Sequence, residues 1–409
     1  MLRLEMLPAG CGDCLWLEYG TPPATRLVII DGGLGKTAKV LPSRLEAAHR
    51  ERGGARLEVE LLVVTHIDND HIVGIIELLK APPPFLHIKE IWFNGLPQLK
   101  RLPTPTSLEV DELEGQPRRS TRPPDVLGGD DEDDGAEDNE SLGAFTTLTA
   151  PADVLGPAQG DELSQLLTKS GMPWNVSWNG EAVMISETEE LPTRMLDDKL
   201  KLTILGPTLA RLYKLCTAWP DVLGGTEDSS TMPATPADVL GPSDTWPPVW
   251  KDGEQRDSSF ANGSSIMLLA EYGEHALLLA GDAHAPDIAT ALKRLLDERQ
   301  MSSTAFPVDA FKLPHHGSAH NLTQAVLERV DCSRYLISTD GSGRPRHPDH
   351  QALLRILRYS RRRPHLLFNY SGDTTRPWGE SKADVVNEFR DFDITFPTKA
   401  EDGLILELE

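Results

Sequence analysis

The sequence predicts a layered α/β domain built from two halves, on three observations. Leu61-Leu62-Val63-Val64 is the continuous apolar run that a strand buried on both faces requires, and Ile72, Ile75, Ile76 and Leu79 follow it at helical spacing. A strand therefore runs into a helix through residues 65–71. The pairing returns later, as a strand over 275–280 before a helix over 286–298, and a strand over 335–338 before a helix over 349–358. Strands that each hand over to a helix need sheets covered by helices, and 409 residues suffice to bury that core as a single domain over 1–409.

The remaining elements follow in order. Two short apolar runs, 14–19 and 26–30, end in the turn residues Gly20 and Gly32-Gly33 and make a hairpin-like opening. Beyond residue 96 the pattern fails, and 97–200 reads as an insertion rich in Pro and Gly; its stretch 125–140 holds nine acidic residues and no Lys or Arg. A solvated, disordered segment fits that run better than an acidic tail that docks a protein partner. Leu163, Leu166 and Leu167 mark a helical piece inside it, and a second loop insertion spans 218–257. Order returns with strands over 264–271, 311–313 and 366–370. PDVLGG occurs at 124–129 and 220–225, and ADVLGP at 152–157 and 237–242; these copies are too short and unevenly spaced for a solenoid.

Charge narrows the partners. Asp and Glu number 63 against 40 Lys and Arg, so a net −23 opposes condensation on nucleic acid or an anionic membrane over most of the surface. Of the four cysteines, Cys11, Cys14, Cys216 and Cys332, only two are close together, unlike a disulfide framework. The opening MLRLEMLPAG has no basic segment before an apolar one, and no apolar stretch approaches the roughly 18 residues of a membrane span. The expectation is a cytoplasmic protein without a membrane segment.

The chemistry concentrates at strand ends. His66, Asp68, Asp70 and His71 put four metal-ligand side chains within six residues, where a buried strand meets a helix. His66 and Asp68 can face one cation and Asp70 and His71 a second. Helix capping would account for one carboxylate but leave both imidazoles idle. Asp282 stands just past the apolar run Leu277-Leu278-Leu279, where a ligand shared by two cations would be needed; alone it would read as a turn former. In Lys312-Leu313-Pro314-His315-His316-Gly317-Ser318 adjacent side chains on a strand point apart, so one histidine reads as a ligand and the other as a group that meets the substrate or supports a ligand. His347 lies just before another helix.

Taken in order, Gly10-Cys11-Gly12-Asp13, Asp31-Gly32-Gly33, the HxDxDHxxG run from His66 to Gly74, Asn262-Gly263-Ser264-Ser265, Gly281-Asp282-Ala283, His315-His316-Gly317-Ser318 and His347-Pro348 resemble the metallo-β-lactamase-fold hydrolases. Within them the chain is similar to the hydrolase domain of ComEC-type competence proteins, over about residues 1–95 and 200–375. The resemblance implies an αββα metallo-β-lactamase sandwich, two divalent metal ions in the groove between its sheets, and hydrolysis by a metal-bridging hydroxide. It implies that His66, Asp68 and one of His315 or His316 hold the first ion, that Asp70, His71 and His347 hold the second, and that Asp282 bridges them. Asp31 matches an aspartate that orients the site, and Asp13 a turn aspartate near the same groove. The chain departs from the family twice. Asp68 stands where the family at large has His, which hardens the first position and lets Mn²⁺ compete with Zn²⁺. The usual histidine after the first helix is missing; Asn94 lies there, as a turn residue or a group pointing into the site.

Other signals carry less. The Cys11–Cys14 pair lacks the second pair of a zinc ribbon, and Gly32-Gly33-Leu34-Gly35-Lys36-Thr37 misses the spacing of a phosphate loop. Arg355, Arg358, Arg361, Arg362 and Arg363 form the one basic cluster, suited to phosphate or nucleic acid and equally to the negative end of a helix. The expected function is a dinuclear metal-dependent hydrolase, a phosphodiesterase or nuclease, in which Asp70 or Asp282 takes a proton and one of His315 or His316 polarises the substrate or protonates the leaving group. A thioester, lactone or amide hydrolase and a scaffold subunit of a stress or defence system are the alternatives.

Overall fold

A computed structural model of the chain describes residues 1–103, 156–223, 246–343, 346–399 and 402–408. Its first half supplies β1 (Leu2–Met6), β2 (Leu15–Thr21), β3 (Ala24–Ile30), α1 (Val40–Glu51), β4 (Leu57–Val59), β5 (Leu61–Val63), α2 (Asn69–Lys80), β6 (Leu86–Ile88), β7 (Ile91–Trp92) and α3 (Leu96–Leu99). Next come α4 (Gly156–Ser170), β8 (Thr193–Met195), β9 (Lys201–Gly206), α5 (Leu209–Leu223), α6 (Phe260–Gly263), β10 (Met267–Tyr272), β11 (His275–Leu279) and α7 (Ala285–Glu298). The last part adds β12 (Phe306–Pro307), β13 (Ala310–Lys312), α8 (Gln324–Leu327), β14 (Val330–Asp331), β15 (Arg334–Ile337), α9 (His350–Tyr359), β16 (His365–Phe368), α10 (Arg376–Glu380), α11 (Lys382–Val386), β17 (Asp393–Thr395) and β18 (Leu404–Leu408).

Two mixed sheets carry the fold, one ordered β18-β1-β2-β3-β5-β7 and the other β17-β16-β15-β13-β11-β10-β9-β8; β4 with β6 and β12 with β14 form two small ladders. Side chains along a strand alternate between faces, and both faces of the first sheet are buried. Leu15, Leu17, Val28, Ile30, Leu61 and Val63 pack with residues of the second sheet such as Ile204, Leu268 and Leu277. Trp16, Leu27, Ile29 and Leu62 pack instead with Leu41 and Leu45 of α1 and Ile72 and Ile75 of α2. Each such side chain contributes roughly 1.5–3 kcal/mol when fully removed from water. On the second sheet the apolar stripes of α7 (Ile288, Leu292, Leu295) and α9 (Leu353, Ile356, Leu357) close the core. The layering is helix, sheet, sheet, helix.

The predicted strands and helices around the ligand motifs are present. Several elements without a strong sequence signal complete the sheets. β18 zips antiparallel onto β1, from Leu2 opposite Leu408 to Met6 opposite Leu404, and joins the two ends of the chain. Much of 156–200 is woven into the fold: Leu163 and Leu167 of α4 are buried in the core beside α2, and β8 forms an edge of the second sheet. α5 extends past residue 218 to Leu223, with Trp219 buried. The acidic run at 125–140 and most of the PDVLGG and ADVLGP copies lie outside the described residues. No helix among the described residues is long and apolar enough to cross a membrane.

Candidate metal centre

The C-terminal ends of β5, β11, β13 and β15 gather at one rim, where loops feed α2, α7, a tight turn (Pro314–Gly317) and α9. Crevices outside the carboxyl ends of strands are where α/β folds bind ligands. Asp282 follows β11 and becomes the hub. Its Oδ2 lies 3.3 Å from His71 Nε2, 3.6 Å from His316 Nε2, 3.9 Å from His66 Nε2 and 4.0 Å from His315 Nε2. Asp70 Oδ2 is 3.2 Å from His316 Nε2 and 3.9 Å from His71 Nε2, and Asp68 Oδ2 is 3.7 Å from His66 Nε2. The ring of His347 sits 5.0 Å from that of His315 and 6.5 Å from that of His316. All eight expected ligand residues therefore converge.

The outer nitrogens explain which way the rings face. His71 Nδ1 donates to Asp31 Oδ2 at 2.8 Å, and the same oxygen accepts from Thr65 Oγ1 at 2.7 Å. Thr65 Oγ1 in turn accepts from His66 Nδ1 at 3.0 Å, so Asp31 aims both histidines. Asp31 itself is left-handed (φ 61°), a conformation that costs a non-glycine residue about 1–3 kcal/mol and clusters at functional positions. His316 Nδ1 donates to the Ser338 carbonyl at 2.9 Å, and His315 Nδ1 to Asn321 Oδ1 at 3.0 Å, with Asp257 Oδ2 at 3.4 Å. With Nδ1 the donor in each, the Nε2 lone pairs all point toward a carboxylate.

Acceptors facing acceptors need protons or cations between them. His66 Nε2, His71 Nε2, His316 Nε2, Asp282 Oδ1 and both nitrogens of His347 are buried without a hydrogen-bond partner. His66, His71 and Asp282 form one group that could hold an ion, and Asp70, His71 and His316 another. The donor set fits divalent cations. In the metal-free chain protons take their place: burial lowers the histidine pKa values, yet the surrounding carboxylates, Asp282 foremost, together outweigh it, holding His71 well above its ordinary value, His315 at about 10 and His316 at about 9. Asp282 is held well below the carboxylate range by His71, His316 and His315 against the opposing effect of burial. Burial, with His315 and His316 alongside, pushes His347 well below the usual imidazole range.

Three readings that the sequence leaves open are narrowed. His316 groups with Asp70 and His71, not with His66 and Asp68. Both His315 and His316 reach the cluster, because they sit in a left-handed turn (φ 47° and 54°) where strand alternation does not apply. Asn94 is committed elsewhere: its amide exchanges two 2.8 Å hydrogen bonds with the backbone of Val183. Sequence reasoning missed the roles of Thr65, which orients the adjacent His66, and of Asp257, Asn321 and Ser338, which orient His315 and His316 from other segments; a cue to Asp257 was the nearby Asn262, whose Nδ2 donates to it at 2.7 Å.

The five arginines all have partners within the chain. Arg355 is buried and donates to the carbonyls of Ala319, Leu322 and Gly253. Arg358 stacks 4.5 Å over Trp250, Arg361 donates to Thr304, Arg362 forks onto Asp331, and Arg363 bridges Asp391 and Asp393. All four cysteines are free thiols.

Residues 12–158 match the family model of the metallo-beta-lactamase superfamily, a stretch that carries Asp13, Asp31 and the His66–His71 run. The sandwich described above is the fold of that superfamily, whose members are mostly hydrolases and usually bind divalent metals. No curated protein matches the chain.

Proposed function

We propose that the chain is a dinuclear metal-dependent hydrolase acting on a phosphodiester. The observation that carries this reading is the set of inward Nε2 atoms around Asp282 Oδ2, each locked by a donor bond at Nδ1. In this reading His66, Asp68 and Asp282 hold one ion, Asp282 with Asp70, His71 and His316 holds the other, and His347 extends the second group. Bound ions supply Lewis acidity and a water acidic enough to attack at neutral pH. The chain does the rest. Asp31 and Thr65 keep the ligand rings aimed, and Asp70, partly open to solvent, takes the proton of the attacking water at Oδ2. His315, held by Asp257 and Asn321, presents Nε2 to the substrate or its leaving group.

The net charge of −23 and the engaged arginines favour a small phosphodiester or a single-stranded nucleic acid over a duplex. The likeness to the competence-protein domain points the same way, and a cytoplasmic location accords with the absence of a clustered cysteine framework. Bis-p-nitrophenyl phosphate, cyclic nucleotides, single-stranded DNA and RNA, each with Mn²⁺ or Zn²⁺, form the test, with a thioester and a lactone beside them. Turnover of a phosphodiester is the expected result; turnover of acyl esters alone would overturn the substrate class. Metal well below one ion per chain after dialysis against Mn²⁺ or Zn²⁺ would overturn the enzyme and favour a scaffold.

Metal uptake also displaces protons. His315 and His316, lowered by burial but raised further by Asp282 together with Asp257 and Asp13 to about 10 and about 9, are imidazolium at pH 7 in the metal-free chain. Calorimetric titration with Zn²⁺ in two buffers of unlike ionisation enthalpy is expected to show about one or more protons released at pH 7, with affinity weakening as pH falls.

A further inference from the structure

Lys312 is the last residue of β13, pairs in register with Leu279 of β11 and Leu336 of β15, and is 1 % exposed. Its ammonium reaches across the sandwich to Asp13 Oδ2, a residue of the opposite half that is itself 1 % exposed. Among the described residues Lys312 is the only Lys or Arg within ion-pair distance of Asp13, Asp31, Asp68, Asp70, Asp257, Asp282 or Asp349. The other oxygen of Asp13 lies 3.4 Å from His316 Nδ1. Its backbone N–H donates to the Asp70 carbonyl at 3.1 Å, and a Cβ on the preceding Gly12 would stand 1.9 Å from that carbonyl oxygen. Asp13 therefore lies as a charge beside the Nδ1 of one metal-site histidine, whose hydrogen goes to the Ser338 carbonyl, and bonds the loop of Asp70 through its backbone. Beside the pair, a space of about 10 Å³ lined by Asp13, Asp31 and Lys312 has room for one water at most.

We infer that Lys312 is a positioning residue of the metal centre: by anchoring Asp13 across the two sheets it sets His316 Nε2 toward Asp70 and Asp282, and so holds the ligands of the two halves at their working separation. This role rests on the reading of the cluster as a metal site. The two outer carboxylates are built differently. Asp31 behind His71 is held by the neutral Thr65 N–H and hydroxyl, whereas Asp13 behind His316 is held by a full charge from the other sheet. Carboxylates behind metal-binding histidines govern affinity as well as ring orientation. Lys312 is the group through which the second sheet controls one of them.

The test compares Lys312→Met, Asp13→Asn and the double variant with the full-length wild type, using Zn²⁺ affinity, the visible d–d spectrum of bound Co²⁺ and thermal unfolding of the metal-free chain. Lys312→Met strands a buried carboxylate and lowers the unfolding temperature; the double variant, a neutral pair, regains much of it. Affinity is expected to follow another pattern. All three variants bind Zn²⁺ roughly 10–100-fold more weakly, with a shifted Co²⁺ spectrum, and the double variant binds no more weakly than Asp13→Asn alone. Wild-type affinity and an unshifted spectrum in Lys312→Met, or in the refolded double variant, would overturn the positioning role and leave the metal site intact. A wild-type chain that takes up neither Zn²⁺ nor Co²⁺ would overturn the metal reading itself and this role with it.

Discussion

Asp282→Asn abolishes metal-dependent hydrolysis while leaving the chain folded. The backbone of Asp282 is fixed independently of its carboxylate, by a hydrogen bond from its N–H to Ser265 Oγ at 3.2 Å and one from Asn321 Nδ2 to its carbonyl at 3.1 Å. The amide keeps that geometry and removes the charge four imidazoles share. Bound metal of the proposed centre contributes several kcal/mol of transition-state stabilisation, so activity is expected to fall roughly 1,000-fold or more. Elemental analysis should show the loss of bound metal alongside. Stability of the metal-free variant has a sign that can be worked out. Histidines whose folded pKa values stand at about 10 and about 9 contribute stability that is fully present below their unfolded value near 6.5 and disappears as pH rises through those folded values. Removing the Asp282 charge forfeits part of that contribution, the rest being held by Asp257 and Asp13, so chemical denaturation should find the variant less stable than wild type at pH 6, with the deficit closing by about pH 10. An Asp282→Asn protein that retains its metal and its activity would remove Asp282 from the centre of the site.

How far the sequence revealed this arrangement depended on whether the chemistry was local. The His66–His71 run was legible because ligand types crowded at a strand end have few other uses, and Asp282 because a pure apolar strand, Leu277-Leu278-Leu279, leads to it. His315 and His316 were legible as a pair but not as individuals. Their roles depend on backbone that leaves the strand after Leu313 and turns left-handed, and strand alternation is the wrong geometry there. Of the partners of Nδ1, Asp31 behind His71 was legible through the resemblance, but those of His315 and His316 were not. Asp257 lies 58 residues before His315 in a stretch that reads as loop, and Ser338 lies 22 residues after His316 at the end of β15. Only the folded sheets bring them within hydrogen-bond reach. The arginine cluster shows the reverse error of scale: five cations close in sequence look like a surface patch, yet the fold gives Arg355, Arg362 and Arg363 separate carbonyl and carboxylate partners. The edge strand β18 was not read from the sequence, and it exists because it completes the hydrogen bonds of β1 on the side away from β2.

Gly74→Ala is expected to be among the most destabilising single-methyl changes in the chain. Helix α2 docks closely on the turn after β3 by two backbone hydrogen bonds: Gly32 N–H donates to the His71 carbonyl at 2.8 Å, and Gly74 N–H to the Gly33 carbonyl at 3.0 Å. A Cβ at position 74 would lie 1.8 Å from the Gly32 oxygen and 2.5 Å from its carbonyl carbon. Neither atom is the flexible end of a side chain, so helix and turn must separate. Overpacking of this kind costs roughly 1–3 kcal/mol and occasionally more, against a total stability of about 5–15 kcal/mol. The same separation pulls His71, on α2, away from Asp31, on the turn, and stretches the 2.8 Å bond that aims the ring. Zn²⁺ affinity should therefore fall together with the denaturation midpoint, the m-value staying unchanged. Gly35→Ala is the control. That glycine is exposed, and its added Cβ would meet only a methyl of Val73 at 3.3 Å, so both quantities should stay close to wild type. If Gly74→Ala proved as stable and as metal-avid as Gly35→Ala, the docking of α2 on the Gly32-Gly33 turn would not be what aligns Asp31 with His71.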